Sequence, residues 1–521
     1  MLCSFGAHFK TAWKYCHIKT NQIMSFKDAT IAEVDAAMNE AHVAFLSFKN
    51  FSGKKRAAFL RAIADEIEGL GDELVKTAMA ETALPEARII GERGRTTGHC
   101  RMFADYIEEG SWVEARVDTA IPDRSPAPKP DIRKKLVALG PVVVFGAANF
   151  PLAYSTAGGD TASALAAGCP VIVKAHPAHA KTSELVAGAI KKAMKTTGMP
   201  AGVFQHLHGA GFEVGQALVK HLRTSAVGFT GSFVGGKALF DLANQRPTPI
   251  PVFAEMSSIN PVILLPDTLK KDFEKTATMM ASSLVLGVGQ FCTNPGLVLA
   301  VEGEGLEKFI THFSSEISKS LPAEMLHKGI AANYVKRLSE TLAQKGVKLE
   351  VQAEAESKTG DKDQGRPTVA SVSASTFLEN ASLAEEVFGP FSLIIRCANM
   401  DELNKVVTHL HGQLTSSIIG EEGEISKHTN LINILVEKAG RLIINGVPTG
   451  VEVCPSQNHG GPFPATTDSR FTAVGTDAIK RFARPVSFQN FPESLLPEEL
   501  KSANTLGIMR IVNGELTRKG L

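Results

Sequence analysis

The sequence predicts an α/β protein with two parallel-sheet domains and a small additional β element. Short apolar runs rich in Val and Ile alternate with helical patterns in two series, one before and one after residue 255. Such alternation indicates parallel sheets whose strands are joined by helical crossovers. A chain of 521 residues also exceeds the usual size of one core, since domains contain about 50 to 250 residues. We therefore expect two or three structural units.

The first helix is expected to begin after Thr30. Thr30 and Glu33 have the spacing of a capping box, in which both side chains satisfy free backbone donors. Apolar residues then recur at helical spacing, at Val34, Ala37, Met38, Ala41, Phe45 and Phe48. Residues 1–23 contain three lysines and no acid or arginine. We interpret them as an N-terminal extension, expected to be disordered, before a start at Met24; a transit peptide is the alternative, but transit peptides are usually rich in arginine.

The first α/β series follows a proline-rich segment. Residues 111–135 contain four prolines at close spacing, which excludes a helix or a central strand and predicts an arm or an edge structure. Strands are then expected at 136–145, 171–174, 203–207 and 227–229, with helices at 157–167, 181–195 and 211–222.

The second series begins after Glu255 and predicts another α/β unit, which carries most of the candidate chemistry. Its strands are expected at 262–265, 297–301, 393–396, 417–419 and 442–445, with helices between them such as 431–438.

Composition excludes several classes of function. Lys plus Arg total 55 against 54 for Asp plus Glu, so the chain lacks the basic character of a nucleic-acid-binding protein. No apolar run reaches the ~18 residues needed to span a membrane. The seven cysteines are scattered, with no CxxC pair and no metal-like spacing with histidines, so we expect no metal cofactor. This usage fits a reducing compartment and predicts a cytoplasmic protein.

Cys292 is the residue most suggestive of chemistry. It lies between an apolar helical run and a turn rich in Gly and Pro, and Glu255 is an isolated carboxylate upstream. A thiolate can attack a carbonyl carbon, and a carboxylate can activate the water that later releases the product. A lone cysteine, however, more often packs as a small hydrophobic residue. Taken alone, Cys292 therefore leaves both readings open.

Four further segments favour the chemical reading. The five ordered segments are residues 146–152 (GAANFPL), 228–232 (GFTGS), 255–261 (EMSSINP), 290–296 (QFCTNPG) and 385–390 (EEVFGP). Their order and spacing resemble the aldehyde dehydrogenase superfamily, and the resemblance spans residues 30–492. It implies an aldehyde dehydrogenase-like α/β fold, a small aldehyde as substrate, NADP or NAD as cofactor, and a homodimer or homotetramer.

The resemblance also implies a division of the chain. Residues 24–113 and 138–254 would form the cofactor-binding domain, and residues 255–455 would form the catalytic domain. Residues 114–137 and 484–521 would form the oligomerisation arm and the C-terminal tail. The family's usual N-terminal strands before the first helix are not evident.

Roles for three catalytic residues follow from the resemblance. Cys292 would attack the aldehyde carbon, and the Asn149 amide together with the Cys292 backbone N–H would stabilise the oxyanion. Glu255 would activate the water that hydrolyses the thioester. Its apolar neighbours Met256 and Ile259 lead us to expect a raised pKa. Without the resemblance, Asn149 would read as a turn residue and Glu255 as a surface carboxylate.

The expected cofactor site differs from the G-x-G-x-x-G fingerprint, which is absent from the first strand-helix turn. Gly231 and Ser232 instead open a helix whose N-terminus suits a pyrophosphate. By resemblance, Lys174 binds the adenosine ribose, whereas Glu386 and Phe388 hold the nicotinamide ribose.

Cofactor preference can also be predicted. NAD-selective relatives carry an acid three residues after the lysine, where it repels a 2′-phosphate. Pro177 occupies that position here, so NADP should be tolerated.

Three C-terminal segments carry a closer resemblance. Residues 458–470, 484–492 and 514–518 resemble 2,5-dioxopentanoate (α-ketoglutaric semialdehyde) dehydrogenases, which form 2-oxoglutarate. A carboxylate-bearing substrate suits arginine forks. The substrate candidates are Arg95, Arg101, Phe150 and Phe463.

Three alternatives remain open. A broad-specificity dehydrogenase for medium- or long-chain aldehydes would share this framework. A catalytically weak structural relative is a second, because Ser257 replaces a usual glycine and could crowd Glu255 or the nicotinamide. A coenzyme-A-acylating enzyme fits less well, since such enzymes need no water-activating base.

Overall fold

The computed structural model describes residues 26–354 and 363–521, so the predicted extension at 1–23 lies outside the described residues. The helices are α1 (Ile31–Phe48), α2 (Gly53–Gly69), α3 (Gly71–Thr82), α4 (Glu86–Glu109), α5 (Gly159–Ala167), α6 (Ala180–Thr196), α7 (Glu213–Lys220), α8 (Phe233–Asn244), α9 (Pro266–Val285), α10 (Glu304–Ser318), α11 (Lys328–Leu342), α12 (Ala374–Glu379), α13 (Met400–His409), α14 (Glu422–Ile425) and α15 (Thr429–Lys438).

The strands follow the same chain order. They are β1 (Arg116–Asp118), β2 (Ile132–Ala138), β3 (Val142–Phe145), β4 (Val171–Lys174), β5 (Phe204–Leu207), β6 (Ala226–Thr230), β7 (Val252–Glu255), β8 (Val262–Leu264), β9 (Leu297–Val301), β10 (Ala323–Glu324), β11 (Lys348–Gln352), β12 (Gln364–Gly365), β13 (Thr368–Ser373), β14 (Phe391–Cys397), β15 (Gln413–Ile419), β16 (Ala439–Ile444), β17 (Ala483–Gln489), β18 (Arg510–Val512) and β19 (Glu515–Thr517).

Helix α1 begins as its capping box predicts. The Thr30 side chain accepts a hydrogen bond from the Glu33 backbone N–H, and the Glu33 carboxylate accepts one from the Thr30 N–H. The apolar face of α1 then packs with α7, α8 and one side of the first sheet.

The first sheet is parallel and has the strand order β5-β4-β3-β6-β7. Helices cover both faces, with α1, α7 and α8 on one side and the larger α2 to α6 group on the other. Lys174, Thr230 and Glu255 are the last residues of β4, β6 and β7, so their side chains start from the same sheet edge. Ligands of parallel sheets usually bind at this carboxyl edge.

The second sheet is mixed, with the order β11-β13-β14-β9-β8-β15-β16. In the order of the sheet, every neighbouring pair of strands from β13 through β9 and β8 to β16 is parallel, as the sequence predicts. Strand β11 runs antiparallel to β13, which the sequence analysis did not predict. Cys292 lies in the turn that leads into β9, at the centre of this sheet.

A third sheet has the order β17-β2-β1-β18-β19. The expected single strand at 136–145 is wrong, because the chain turns at Gly140 and Pro141. Gly140 adopts φ +138°, and an added Cβ would lie 2.2 Å from the Ser225 hydroxyl, so only glycine fits. Strand β2 therefore belongs to the third sheet, where it pairs antiparallel with β17, while β3 enters the first sheet.

Candidate active site

The loop that carries Cys292 is held by a buried asparagine. The Asn260 side-chain amide donates to the backbone carbonyls of Cys292 and Asn294, at 2.9 Å each. Its carbonyl oxygen accepts hydrogen bonds from the Ser258 and Thr415 hydroxyls, so the amide orientation is fixed. Asn260 also adopts a left-handed backbone with φ +46°, which asparagine tolerates better than most residues. These hydrogen bonds fix the turn between α9 and β9 that carries the Cys292 nucleophile.

Cys292, Glu255 and His459 form a compact cluster. The His459 Nε2 lies 3.0 Å from the Glu255 Oε1 and 3.5 Å from the Cys292 Sγ. The Glu255 and His459 side chains are only 3% and 1% exposed. The second carboxylate oxygen of Glu255, Oε2, has no hydrogen-bond partner among the described residues. The cluster joins a nucleophile, an imidazole and a carboxylate in one buried site.

Backbone pairing brings His459 to this place. The loop after β16 returns to β7, where Met256 N donates to Ala465 O at 2.8 Å and Glu255 forms a bridge with Thr466. The His459 N–H donates to the Thr472 hydroxyl at 2.7 Å. Hydrogen bonds at the His459 N–H and, from Ala473 N, at its carbonyl therefore fix the main chain from which the imidazole extends.

The electrostatics of the cluster correct one expectation. Burial raises the pKa of the Cys292 thiol well above its usual value, and the Glu255 charge raises it further, although Arg95 acts in the opposite direction. Burial also raises the pKa of Glu255, but the charge and the hydrogen bond of His459 outweigh it, so the net pKa lies below the ordinary value. The expected raised pKa of Glu255 is wrong because His459 was not foreseen.

Asn149 lies beside the nucleophile. It follows β3, and its Nδ2 donates to the Gln290 carbonyl at 3.2 Å, two residues before Cys292. An amide group carries two N–H donors. The side chain is thus in position to offer a hydrogen bond near the Cys292 thiol.

Aromatic side chains pack together near Cys292, whose charge acts on the pKa of Tyr154. Phe150 packs edge-on against both Tyr154 and Phe291, with ring centroids 5.1 and 5.7 Å apart. The Arg88 guanidinium lies 4.3 Å from the Phe150 ring, and Arg95 donates to the Tyr154 hydroxyl at 3.0 Å. The Nε of Arg95 is buried and has no partner among the described residues. This group of side chains therefore combines aromatic rings with two cations.

Two predicted substrate residues lie elsewhere. Arg101 is bound by the carboxylates of Glu68 and Asp65 on α2, and its side chain is 38% exposed. Phe463 packs against Phe233 at the start of α8, beside the expected cofactor site. The structure groups Phe150 and Arg95 with Cys292 but does not group Arg101 or Phe463 with them.

Two residues of the site were missed in the sequence. The sequence pattern places His459 only within a C-terminal segment and gives no role to Arg441. Arg441 donates hydrogen bonds to the carbonyls of Pro448 and Gly450. Its guanidinium also interacts electrostatically with Cys292 and Tyr154. No local sequence pattern marks either residue as part of the site. The one available indication is that His459 is followed by two glycines.

The N-terminus of α8, where the cofactor pyrophosphate is expected, is a tight turn. Ser232 caps the helix by accepting from the Gly235 N–H, and the Ser257 hydroxyl accepts from the Phe233 N–H at 3.3 Å. A Cβ on Gly231 would lie 2.7 Å from the Phe229 ring, so glycine keeps this turn tight. Ser257 thus contacts the helix end, and it also hydrogen-bonds the Glu386 carboxyl.

Glu386 and Phe388 line a cleft that also includes Phe291 and Asn294. Desolvation raises the pKa of the Glu386 carboxyl to about 8, although hydrogen bonds from Ser257 and the Ser258 N–H lower it in part. A buried carboxyl with hydroxyl-binding capacity fits a ribose. These residues, with α8, suit a dinucleotide.

Lys174 ends β4 on the same sheet edge. Burial lowers the pKa of its amine, and the charge of Asp28 raises it. Pro177 begins a short 3-10 turn, Pro177–His179, that follows Lys174. The position expected to hold an acid in NAD-selective relatives therefore starts a turn here.

Comparison with known proteins decides the family. The model of the aldehyde dehydrogenase family matches residues 7–469. The chain belongs to the aldehyde dehydrogenase family. It is accordingly an NAD(P)-dependent aldehyde oxidoreductase with the two-domain fold of that family.

Curated relatives extend over nearly the whole chain. Alpha-ketoglutaric semialdehyde dehydrogenase 2 of Azospirillum brasilense is 51% identical over 490 residues, covering 94% of this chain and 93% of the relative. Alpha-ketoglutaric semialdehyde dehydrogenase of Acinetobacter baylyi is 46% identical and covers 95% and 93%. Both alignments cover more than nine tenths of this chain and of the relative.

Solved structures agree in fold. Glyceraldehyde-3-phosphate dehydrogenase of Methanocaldococcus jannaschii, complexed with NADP, has a TM-score of 0.74 at 23% identity, covering 89% of this chain and 95% of that one. Betaine aldehyde dehydrogenase of Staphylococcus aureus has a TM-score of 0.75 at 20% identity and covers 90% and 92%. Within the described residues, no helix is both long and apolar enough to cross a membrane.

Proposed function

We propose that this enzyme oxidises 2,5-dioxopentanoate (α-ketoglutaric semialdehyde) to 2-oxoglutarate, with a thioester on Cys292 as intermediate. The observation that carries the proposal is the cluster of Cys292, His459 and Glu255 beside a group of aromatic side chains that includes the Arg95 partner Tyr154. The names of the relatives at 51% and 46% identity support the same substrate.

Thiol activation needs a base, because burial keeps the Cys292 proton on sulfur. When the His459 N–H is on Nδ1, Nε2 can accept that proton; the Nε2–H so formed donates to the Glu255 carboxylate, which stabilises the imidazolium. The thiolate then attacks the aldehyde carbon. The Asn149 amide and the Cys292 backbone N–H are proposed to stabilise the oxyanion, a contribution of about 2.7 to 4 kcal/mol per donor.

NAD(P)⁺, when bound, accepts the hydride that leaves the substrate carbon. After His459 has released the Cys292 proton to solvent, water attacks the Cys292 thioester, and the Glu255–His459 pair is the proposed base. The Glu255 Oε2, which lacks a partner among the described residues, can accept a hydrogen bond from that water. The released carboxylate and the free thiol complete the cycle.

Substrate selection is assigned to Arg95. A guanidinium forms strong charge-assisted bonds with a carboxylate, and the partnerless Nε of Arg95 leaves part of its fork available. Arg88 is less suited, because its guanidinium is already paired with the buried Glu92. The aromatic walls favour a second candidate, a broad aldehyde dehydrogenase for longer apolar chains.

The proposed cofactor residues are Lys174, Gly231, Ser232, Glu386 and Phe388. Their support is the shared sheet edge, the α8 N-terminus and the cleft beside Asn294. We also propose the domain division that the sequence predicts, with the same bounds for the cofactor-binding domain, the catalytic domain and the oligomerisation arm.

A cytoplasmic homodimer or homotetramer is the proposed assembly. Strand β16 is an edge strand whose Leu442 and Ile444 are 37% and 53% exposed, and β17 is an edge strand of the third sheet. Edge strands with exposed apolar residues favour pairing with another chain. The five described cysteines are unpaired, which supports a reducing compartment.

A panel of aldehydes tests the substrate. Purified enzyme is assayed with 2,5-dioxopentanoate and with hexanal, using each cofactor, and the Cys292→Ser variant serves as the inactive control. The proposal expects a specificity constant at least about tenfold higher for 2,5-dioxopentanoate, since an ionic hydrogen bond contributes about 1.5 to 3 kcal/mol. A higher value for hexanal would establish the broad-specificity alternative instead.

A further inference from the structure

We propose that Cys292, His459 and Glu255 also form a zinc-binding site that holds the enzyme in a reversible inactive state. The three side chains offer one thiolate sulfur, one imidazole nitrogen and one carboxylate oxygen, and these atoms all lie within 4.8 Å of one another. Each donor belongs to a ligand type that proteins use for Zn²⁺. The inhibitory consequence rests on the proposed function, whereas the binding itself does not.

The separations of the ligand atoms suit a tetrahedral ion. Zn–N and Zn–S bonds of about 2.05 and 2.3 Å place a nitrogen and a sulfur ligand about 3.6 Å apart. The observed distance between His459 Nε2 and Cys292 Sγ is 3.5 Å. A nitrogen and an oxygen ligand should lie about 3.4 Å apart, and His459 Nε2 lies 3.0 Å from Glu255 Oε1. The two distances that involve His459 therefore differ from the tetrahedral values by only a few tenths of an ångström, and the third pair lies within 4.8 Å.

Charge also favours a dication at this place. Glu255 and a Cys292 thiolate would bring two negative charges into a buried site, and Zn²⁺ would neutralise both. The Glu255 Oε2 has no partner among the described residues, so the carboxylate can turn or bind with either oxygen. Hydrogen bonds at the His459 N–H and carbonyl fix the main chain from which its ring extends before any ion arrives. Three protein ligands leave a fourth position for water.

Binding would exchange a proton for the ion. The thiol loses its proton to the solvent as the sulfur–zinc bond forms, and no electron transfer is involved. A zinc-bound thiolate cannot attack an aldehyde, and a bound Glu255–His459 pair cannot accept a proton. Removal of the ion by a chelator restores the thiol and therefore the activity.

A second group of possible ligands supplies the control. Glu184, His206 and His208 also lie close together, but this group contains no cysteine. Cobalt(II) is a suitable probe, because a thiolate ligand gives it a charge-transfer absorption that imidazole and carboxylate ligands do not. The band therefore reports binding at a cysteine.

The experiment titrates Co²⁺ and then Zn²⁺ into the full-length apoenzyme without substrate or cofactor. We expect a thiolate–cobalt band that saturates at one ion per chain in the wild type and in His206→Gln. The band should disappear in Cys292→Ser, and the affinity should fall at least tenfold in His459→Gln and in Glu255→Gln. Circular dichroism confirms that each variant is folded.

The activity assay completes the test. Zn²⁺ should inhibit the wild type and His206→Gln at the same concentration, and a chelator should restore both. Absence of the band, or a band that persists at full affinity in His459→Gln and Glu255→Gln, would overturn the three-ligand site. Failure of the proposed substrate in the aldehyde panel would leave the cobalt result unaffected, so the two proposals fail separately.

Discussion

His459 Nε2 lies 3.0 Å from Glu255 Oε1 and 3.5 Å from the Cys292 Sγ. The same nitrogen can therefore accept the thiol proton and then donate a hydrogen bond to the carboxylate. This arrangement gives the buried thiol a base, which its raised pKa makes necessary. The proposed mechanism depends on this relationship.

Replacement of His459 should slow the reaction without unfolding the protein. His459→Gln keeps an N–H that can reach Glu255 but cannot accept the thiol proton. We expect kcat to fall about 100-fold, within the usual range for loss of a general base. The alkylation rate of Cys292 by iodoacetamide should fall in parallel. As a control, His312→Gln on α10, where the ring lies near Glu316, should behave as the wild type; unchanged alkylation and kcat in His459→Gln would exclude a role for His459.

Two arginines of α4 form a matched pair for the substrate. Arg95→Ala should lower kcat/KM for 2,5-dioxopentanoate by about tenfold to 100-fold, the loss expected for a charged hydrogen bond. The value for hexanal should change by less than about twofold. Arg101→Ala, whose guanidinium binds Glu68 and Asp65 instead, should leave both substrates unaffected. Equal losses for both aldehydes in Arg95→Ala would mean that Arg95 holds the aromatic side chains around Tyr154 in place and does not bind the substrate carboxylate.

The pKa of Glu386 predicts a pH-dependent stability. Its folded-state pKa is about 8 against an ordinary value of 4.5, so the folded state retains a proton that the unfolded state releases. This contribution is fully present below about pH 4.5 and is lost as the pH rises to about 8. The Tm of the wild type should therefore fall over this range by at least about 2 °C more than that of Glu386→Gln. Parallel Tm curves for the two proteins would show that Glu386 does not titrate in this way.

Pro177 predicts the cofactor range. NADP should support turnover within about tenfold of NAD, a difference of roughly 1.4 kcal/mol. Pro177→Glu should shift preference toward NAD, because a carboxylate repels the 2′-phosphate. Dissociation constants measured by calorimetry, with Pro177→Gln as the uncharged control, separate charge from loss of the turn. A shift of the same size in both variants would exclude the electrostatic explanation.

Much of the fold was accessible from the sequence, because local patterns report local structure. Strands β4 and β9 have the predicted bounds, and the capping box at Thr30 forms as expected. The split between β2 and β3 was missed, since apolar residues continue across the turn at Gly140. The antiparallel β11 was missed because strand direction depends on partners that are remote in the sequence.

The site shows the same limit more sharply. Cys292, Glu255 and Asn149 stand out by resemblance, but His459 lies 204 residues from Glu255 and 167 from Cys292. No spacing rule connects residues at such distances. The pKa of Glu255 was misjudged for that reason, since its apolar neighbours were visible and its imidazole partner was not. Arg101 was predicted to be a substrate residue because its place on the helix does not reveal that Asp65 and Glu68 of α2 bind its guanidinium.

The most direct test of the mechanism is a search for the acyl intermediate on Cys292. Glu255→Gln enzyme is mixed with 2,5-dioxopentanoate and cofactor, quenched in acid, digested and examined by mass spectrometry. We expect one equivalent of reduced cofactor per active site, followed by very slow turnover, and a 2-oxoglutaryl thioester on the peptide that contains Cys292. Glu255→Asp, which keeps a carboxylate, should accumulate less of it. An unmodified Cys292 together with wild-type turnover in Glu255→Gln would contradict the account.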